Sequence, residues 1–366
     1  MGPHVDIFCQ VIDNLGDIGV SWRLARQLQH EHGAKVRLYL DQLASLAKLE
    51  PECKPDCKQQ ELCGIQVLHW SAGTDWAKLT LQMPDIVIAA FSCELPDAYI
   101  DRLRQHPTTV WYQLEYLSAQ SWVPEFHLQV SLRADGLKPV FFFPGFTEQT
   151  GGLIREKLIG SHDLQDNRQW LGTLGLQPDL IDNRQLVSVF TYPDAPVDQL
   201  ARMLEDMGIR TTFLLPQGVR NRLGELNPEE FSHVSWASIA FLRQPEYDRL
   251  LACMDLNLVR GEDSFVRAIW AGKPFIWNIY PQSEDEHHKK LQAWLDLAQM
   301  PLPVCTVMHE WSRGQLSPEM KSLLTGKARQ DWLEACLKHR GQLLSQSDLA
   351  HRLLKDRYSR KQQILP

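Results

Sequence analysis

The sequence predicts an α/β protein built from two doubly wound domains facing a central cleft. Three observations carry this. The chain has 366 residues, beyond the size at which a single hydrophobic core stops growing. It contains two separate series of short apolar runs alternating with helical patterns, the grammar of parallel sheets with crossover helices. Between the two series the regularity breaks, at Lys138–Phe146 with its two prolines and at Thr150-Gly151-Gly152.

In the first series, Val5–Ile12 reads as a strand and Val20–Gln29 as an amphipathic helix. Val36–Leu40, Ile65–His69, Asp85–Ala90 and Thr108–Gln113 are further strands. A polar, helix-like stretch from Ile154 to Leu174 leads to the second series. There Leu186–Thr191 reads as a strand and Val197–Met207 as a helix. Thr211–Leu215, Val234–Ala237 and Leu256–Val259 are strands, Asp263–Ala271 a helix, Phe275–Ile279 a strand and Glu284–Ala298 a long helix. The expected division is residues 1–182, residues 183–345, and a helical tail 346–366 that either caps the second domain or crosses back to the first.

Composition narrows the function. A net charge of -7 with no basic block argues against a nucleic-acid binder. No apolar run is long enough to span a bilayer, and the first residues lack the charged n-region of a secretion signal. Eight cysteines in so long a chain do not form a disulfide framework, so the expected compartment is the cytoplasm. Cys53, Cys57, Cys63 and His69 lack paired metal-ligand spacing and make a poor zinc site. Glu284-Asp285-Glu286-His287-His288 reads as the acidic first turn of a helix rather than a metal centre.

Two loops carry candidate chemistry. Asp13-Asn14-Leu15-Gly16-Asp17-Ile18-Gly19 joins the first strand to the first helix, where open α/β sheets bind ligands. Its glycines permit tight turns, but the spacing is not the dinucleotide fingerprint. Asp17 would put negative charge where a pyrophosphate sits, so the loop suits a cationic or hydroxylic acceptor; the alternative is that Asp17 only caps the helix. Arg260-Gly261-Glu262-Asp263-Ser264-Phe265-Val266-Arg267-Ala268 also leaves a strand and opens a helix, whose N-terminal N–H groups suit a diphosphate. Ser264 would donate to it and Arg260 would add charge or fix the loop. Glu262 and Asp263 would hold hydroxyls; the alternative makes Asp263 a cap and Arg267 a solvated side chain. Phe190-Thr191-Tyr192-Pro193 and Tyr280-Pro281-Gln282 end strands of the second series, and their aromatics either stack on a base or pack a hinge. Trp111–Tyr116 is a further aromatic strand end, on the acceptor side. No nucleophile elbow is present.

Together these segments resemble the EarP family, protein-arginine rhamnosyltransferases that modify elongation factor P. The matching pieces are Ile12–Val20, Phe142–Phe146 with Thr150–Leu153, Leu258–Ala268, Pro274–Trp277 and Tyr280–Gln282. The resemblance implies a GT-B fold of two Rossmann-like domains, dTDP-β-L-rhamnose as donor and an arginine of elongation factor P as acceptor. It also implies inversion at the anomeric centre without a metal ion. It makes Asp13 and Asp17 the acceptor-side acids, with Asp17 the base. It places Asn14, Phe190, Tyr192, Phe241, Gln244, Arg260, Glu262, Asp263, Ser264 and Tyr280 at the donor. Competing readings are a nucleotide-sugar transferase with another acceptor, a non-catalytic protein that binds a translation factor, and a dehydrogenase.

Overall fold

A computed structural model describes the chain except residues 1, 13–14, 72–73, 75, 77–81, 158, 160–163, 220 and 365–366. It divides into two compact units: Met1–Lys157 with Gln346–Pro366, and Leu158–Ser345.

The first unit runs β1 (His4–Cys9), α1 (Gly16–His32), β2 (Lys35–Leu40), α2 (Leu43–Leu49), β3 (Gln59–Leu62), β4 (Ile65–His69) and β5 (Ile86–Ala90). It continues with α3 (Asp97–Arg104), β6 (Val110–Leu114), α4 (Val123–Phe126) and β7 (Val140–Phe142). These strands form one sheet in the order β3-β4-β2-β1-β5-β6-β7. All neighbours are parallel except β3, which pairs antiparallel with β4. The second unit contains α5 (Leu164–Leu171), β8 (Gln185–Val189), α6 (Val197–Asp206), β9 (Thr211–Pro216), β10 (Val234–Ile239), α7 (Gln244–Cys253) and β11 (Leu256–Arg260). After α8 (Asp263–Ala271) and β12 (Phe275–Asn278) come α9 (Glu286–Leu297), α10 (Leu302–Ser312), α11 (Met320–Leu323) and α12 (Gly326–Leu344). Its parallel sheet has the order β10-β9-β8-β11-β12. The last helix, α13 (Leu349–Ile364), belongs to the first unit.

Three boundaries differ from the sequence expectation, each for a local reason. The first strand stops at Cys9, because Val11 and Ile12 give their N–H groups to the carboxylates of Asp41 and Asp17 instead of to a neighbouring strand. The helix expected from Glu284 starts at Glu286, because Glu284 and Asp285 both have positive φ, 57°. The segment preceding Asp182 belongs with the second unit: Leu171, Leu176 and Ile181 pack with Leu186, Leu214 and Leu250.

The tail is held to the first unit by polar contacts that span most of the sequence. Tyr112 donates its hydroxyl to Asp356 at 2.7 Å, and Arg352 donates to the carbonyl oxygens of Thr147 and Thr150 at 2.7 and 2.6 Å. Under β1, the wholly buried Asp6 receives two bonds from Arg37, at 2.6 and 2.9 Å, and one from Tyr99 at 2.5 Å.

Two half-covered or buried imidazoles make stability depend on acid. His127 accepts the N–H of Phe143 at 3.1 Å, and His339 accepts the indole N–H of Trp294 at 3.3 Å. Burial lowers both pKa values from 6.5 to about 4. The unfolded chain therefore takes up these protons before the folded chain does. Stability is full above pH 6.5 and falls as pH drops towards about 4. Urea unfolding across this range should show that loss; a flat profile between pH 7 and 5 would contradict it.

Candidate functional site

Strand order decides where each site lies. In the first sheet β1 sits between β2 and β5, so the chain reverses its winding there and opens a crevice beyond the end of β1. In the second, β8 sits between β9 and β11, and the crevice lies beyond β8 and β11. The two candidate loops are the ones that leave β1 and β11.

On the first unit, Asp17 lies in the first turn of α1 and is 3% exposed. It does not cap the helix: the cap position is Leu15, with no side-chain cap bond. Its Oδ2 instead accepts the N–H of Ile12 at 2.8 Å, closing the loop back on itself. The same loop is tied to the next strand turn, because Gln42 donates to the carbonyl of Val11 at 3.2 Å. Farther along α1, the buried Arg23 clamps both oxygens of Glu156, each at 2.6 Å. Asp13 and Asn14 lie outside the described residues.

On the second unit, aromatic rings and one arginine gather beyond β8 and β11. The Arg260 guanidinium lies 4.6 Å from the Phe190 ring centre and 5.0 Å from that of Tyr192, and donates to the Thr191 carbonyl at 3.1 Å. Phe190 meets Phe241 edge-on, with centroids 6.2 Å apart, and Tyr192 meets Tyr280 at 5.8 Å. Tyr280 is 46% exposed. The N–H of Tyr192 is fixed by Asn278 at 2.9 Å.

The α8 N-terminus follows directly. Gly261 takes a positive φ of 63°, which turns the chain from strand to helix, and the Trp277 indole holds its carbonyl at 2.7 Å. The side chain at the cap position, Glu262, makes no cap bond to α8. The alternative roles for Asp263 and Arg267 do not hold here. Asp263 is not a cap; its Oδ2 accepts from Arg267 at 2.8 Å and from Gln244 at 3.3 Å. Arg267 is not a solvated side chain but 1% exposed, and it also holds both oxygens of Asp248, at 2.8 and 2.7 Å. Ser264 gives its hydroxyl proton to the Arg260 carbonyl.

Three features escaped the sequence reading. Glu262 pairs with Lys290 of α9 at 2.5 Å, a partner 28 residues away that no local pattern reveals. His287 accepts the N–H of Gln282 at 3.2 Å, securing the loop that carries Tyr280. Tyr247 packs against Phe190 at 5.9 Å, and its covered hydroxyl has no hydrogen-bond partner among the described residues. Burial pushes that phenol well above its usual range, so it stays a donor.

Among the described residues, the group with metal-like spacing is Asp285, His287 and His288, whose ligand atoms lie within 4.8 Å of one another. Two of its imidazole nitrogens are already engaged, His287 by Gln282 and His288 by Ser312 at 3.2 Å. Cys53, Cys57, Cys63 and His69 form no such group.

The model of the elongation-factor-P (EF-P) rhamnosyltransferase EarP matches residues 5–356. The chain belongs to the EarP family. It is 40% identical over 319 residues to a protein-arginine rhamnosyltransferase of Pseudomonas aeruginosa, covering 81% of this chain and 82% of the relative. A counterpart from Pseudomonas putida is 42% identical over 308 residues, covering 79% and 80%. A solved structure concerned with EarP-mediated arginine glycosylation of EF-P is similar at a TM-score of 0.61 and 27% identity, covering 96% of this chain and 98% of that one. The fold is also shared with Phytolacca americana UGT2, solved with UDP-2fluoro-glucose and pterostilbene, at a TM-score of 0.56 and 13% identity, covering 98% and 100%. The EarP-family chain is thus a glycosyltransferase of GT-B fold class. None of its described helices is long and apolar enough to cross a membrane.

Proposed function

We propose that this enzyme transfers L-rhamnose from dTDP-β-L-rhamnose to an arginine side chain of EF-P in the cytoplasm, in one inverting step that uses no metal ion. The observation that carries the reading is the division of chemistry between the two switch points of an EarP-family chain. One loop presents a buried acid; the other presents an uncapped helix start beside aromatics and an arginine.

The donor's base would stack at Phe190 and Phe241, and its diphosphate would take the N–H groups of α8. Arg260 would turn from the Phe190 face to meet phosphate charge. Tyr192, Tyr280 and Gln244 would line the donor, and Glu262 and Asp263, held by Lys290 and Arg267, would present fixed oxygens to sugar hydroxyls. The family resemblance also assigns Asn14 to the donor.

The acceptor is a guanidinium, which is protonated and delocalised, with a pKa above about 12. A carboxylate cannot deprotonate it beforehand, but it can take the proton as the new bond forms. One guanidinium nitrogen attacks the anomeric carbon, the bond to the diphosphate oxygen breaks, and the proton passes to Asp17. Asp13 would hold the planar group so that electron density gathers on the attacking nitrogen. The leaving dTDP carries the negative charge to α8 and Arg260.

Two measurements test this reading. NMR of the product should show α-linked rhamnose, and turnover should persist in EDTA; retained configuration or chelator-sensitive turnover would refute the step as written. Phe190→Ala should weaken dTDP binding by about ten- to a hundredfold in calorimetry, from the loss of base stacking. Unchanged affinity would remove Phe190 from the base site.

A further inference from the structure

The second unit holds a phenol to which the transfer step gives no role. Gln244, Tyr247 and Asp248 stand at i, i+3 and i+4 of α7 and so share one face of that helix. That face is turned to the start of α8. Gln244 donates its amide to Asp263 at 3.3 Å, and Asp248 receives two bonds from Arg267, at 2.8 and 2.7 Å. The Tyr247 ring meets Phe190 edge-on, with centroids 5.9 Å apart, and the Arg260 guanidinium lies 4.6 Å from the Phe190 centre. The charged groups around the phenol are Arg267, Asp263, Asp248 and Arg260. Tyr247 therefore stands between the ring proposed to stack the base and the helix start proposed to hold the diphosphate.

Packing alone does not account for a tyrosine at this position. Its ring lies against the core cluster that contains Leu186, Leu214 and Leu250, where phenylalanine would serve as well. The hydroxyl oxygen is covered, yet it has no hydrogen-bond partner among the described residues. Buried polar groups are nearly always paired, because a hydroxyl taken out of water loses its hydration without return. The two nearest carboxylates, Asp263 and Asp248, are held by Arg267 instead. A phenol offers one O–H donor. A pyrimidine base seated on Phe190 offers the complementary group, a carbonyl oxygen at the ring edge.

We propose that the Tyr247 hydroxyl donates a hydrogen bond to a carbonyl oxygen of the donor's thymine base and fixes that base on Phe190. This rests on the donor reading given above. The base takes no part in the bonds that break and form, so the contact is equal in the ground and transition states. It sets donor affinity and not the rate of the chemical step.

A cycle between protein and ligand tests it. Wild-type enzyme and Tyr247→Phe are titrated calorimetrically with dTDP and with its 2-thio and 4-thio analogues, whose sulfur accepts hydrogen bonds only weakly. Tyr247→Phe should bind dTDP about tenfold more weakly, as for one lost buried hydrogen bond. Its KM for dTDP-β-L-rhamnose should rise by a similar factor while kcat stays at the wild-type value. One of the two analogues should bind the wild type about tenfold more weakly than dTDP does, and the variant no differently from dTDP. Without ligand the variant should melt no earlier than the wild type, because it loses no bond within the protein. An unchanged dTDP affinity, a lower melting temperature without ligand, or thio effects that are the same in both proteins overturns the proposal. Failure of the wild type to bind dTDP would instead overturn the donor reading beneath it.

Discussion

Asp17→Asn enzyme is expected to bind dTDP as the wild type does and to transfer rhamnose at least a hundredfold more slowly. A positioned general base contributes about 10²- to 10⁴-fold, and asparagine cannot accept the proton. The substitution is chosen for what it preserves. The amide oxygen still accepts the N–H of Ile12, the bond that closes the loop at 2.8 Å in the wild type. Asp17→Ala removes both the base and the closure, so it should lose activity and also melt earlier. Single-turnover rates, dTDP calorimetry and thermal melts separate these effects. If folded Asp17→Asn transfers within a few fold of wild type, Asp17 is a loop-closing residue and the base is another group.

Arg267→Ala should cost about 3–5 kcal/mol of stability, the usual effect of breaking a buried ion pair from one side. The guanidinium is 1% exposed and holds Asp263 and Asp248 together. Without it, two carboxylates face each other at the start of α8 with no cation between them, where the diphosphate is proposed to sit. The donor should therefore stabilise the variant less than the wild type. Arg267→Lys should rescue little, because a single ammonium cannot reproduce bonds from both sides of the planar fork. Urea unfolding with and without dTDP reads both effects. A loss below 1 kcal/mol would mean that Arg267 is peripheral to the second unit.

The central parallel strands were legible because buried strands read as short apolar runs. Elements with weaker patterns were not. Gln59–Leu62 is a polar antiparallel edge strand, and Val140–Phe142 is a three-residue strand between prolines. In α7, Pro245 looks like a breaker, yet it occupies the first turn, where a missing N–H costs nothing. At the site, residue type showed which groups were chemically able, and the strand-loop-helix grammar placed both loops. What the sequence did not carry was pairing. Glu262 with Lys290, Arg267 with Asp248, and Asp17 with the N–H of Ile12 depend on how distant or folded-back segments meet. Those pairings add what the residue types did not show: Asp263 is held by Arg267, Ser264 by the Arg260 carbonyl, and Asp17 accepts the Ile12 N–H instead of taking the alternative role of helix cap.

The central claim is the transfer of one rhamnose to an arginine of EF-P. Purified enzyme, EF-P and dTDP-β-L-rhamnose are incubated together, and EF-P is analysed by intact mass and then by peptide mapping. A mass gain of one deoxyhexose, mapped to a single arginine and absent with Asp17→Asn, is the predicted result. Unmodified EF-P alongside demonstrable binding of both substrates, or a deoxyhexose on a residue other than arginine, would contradict it.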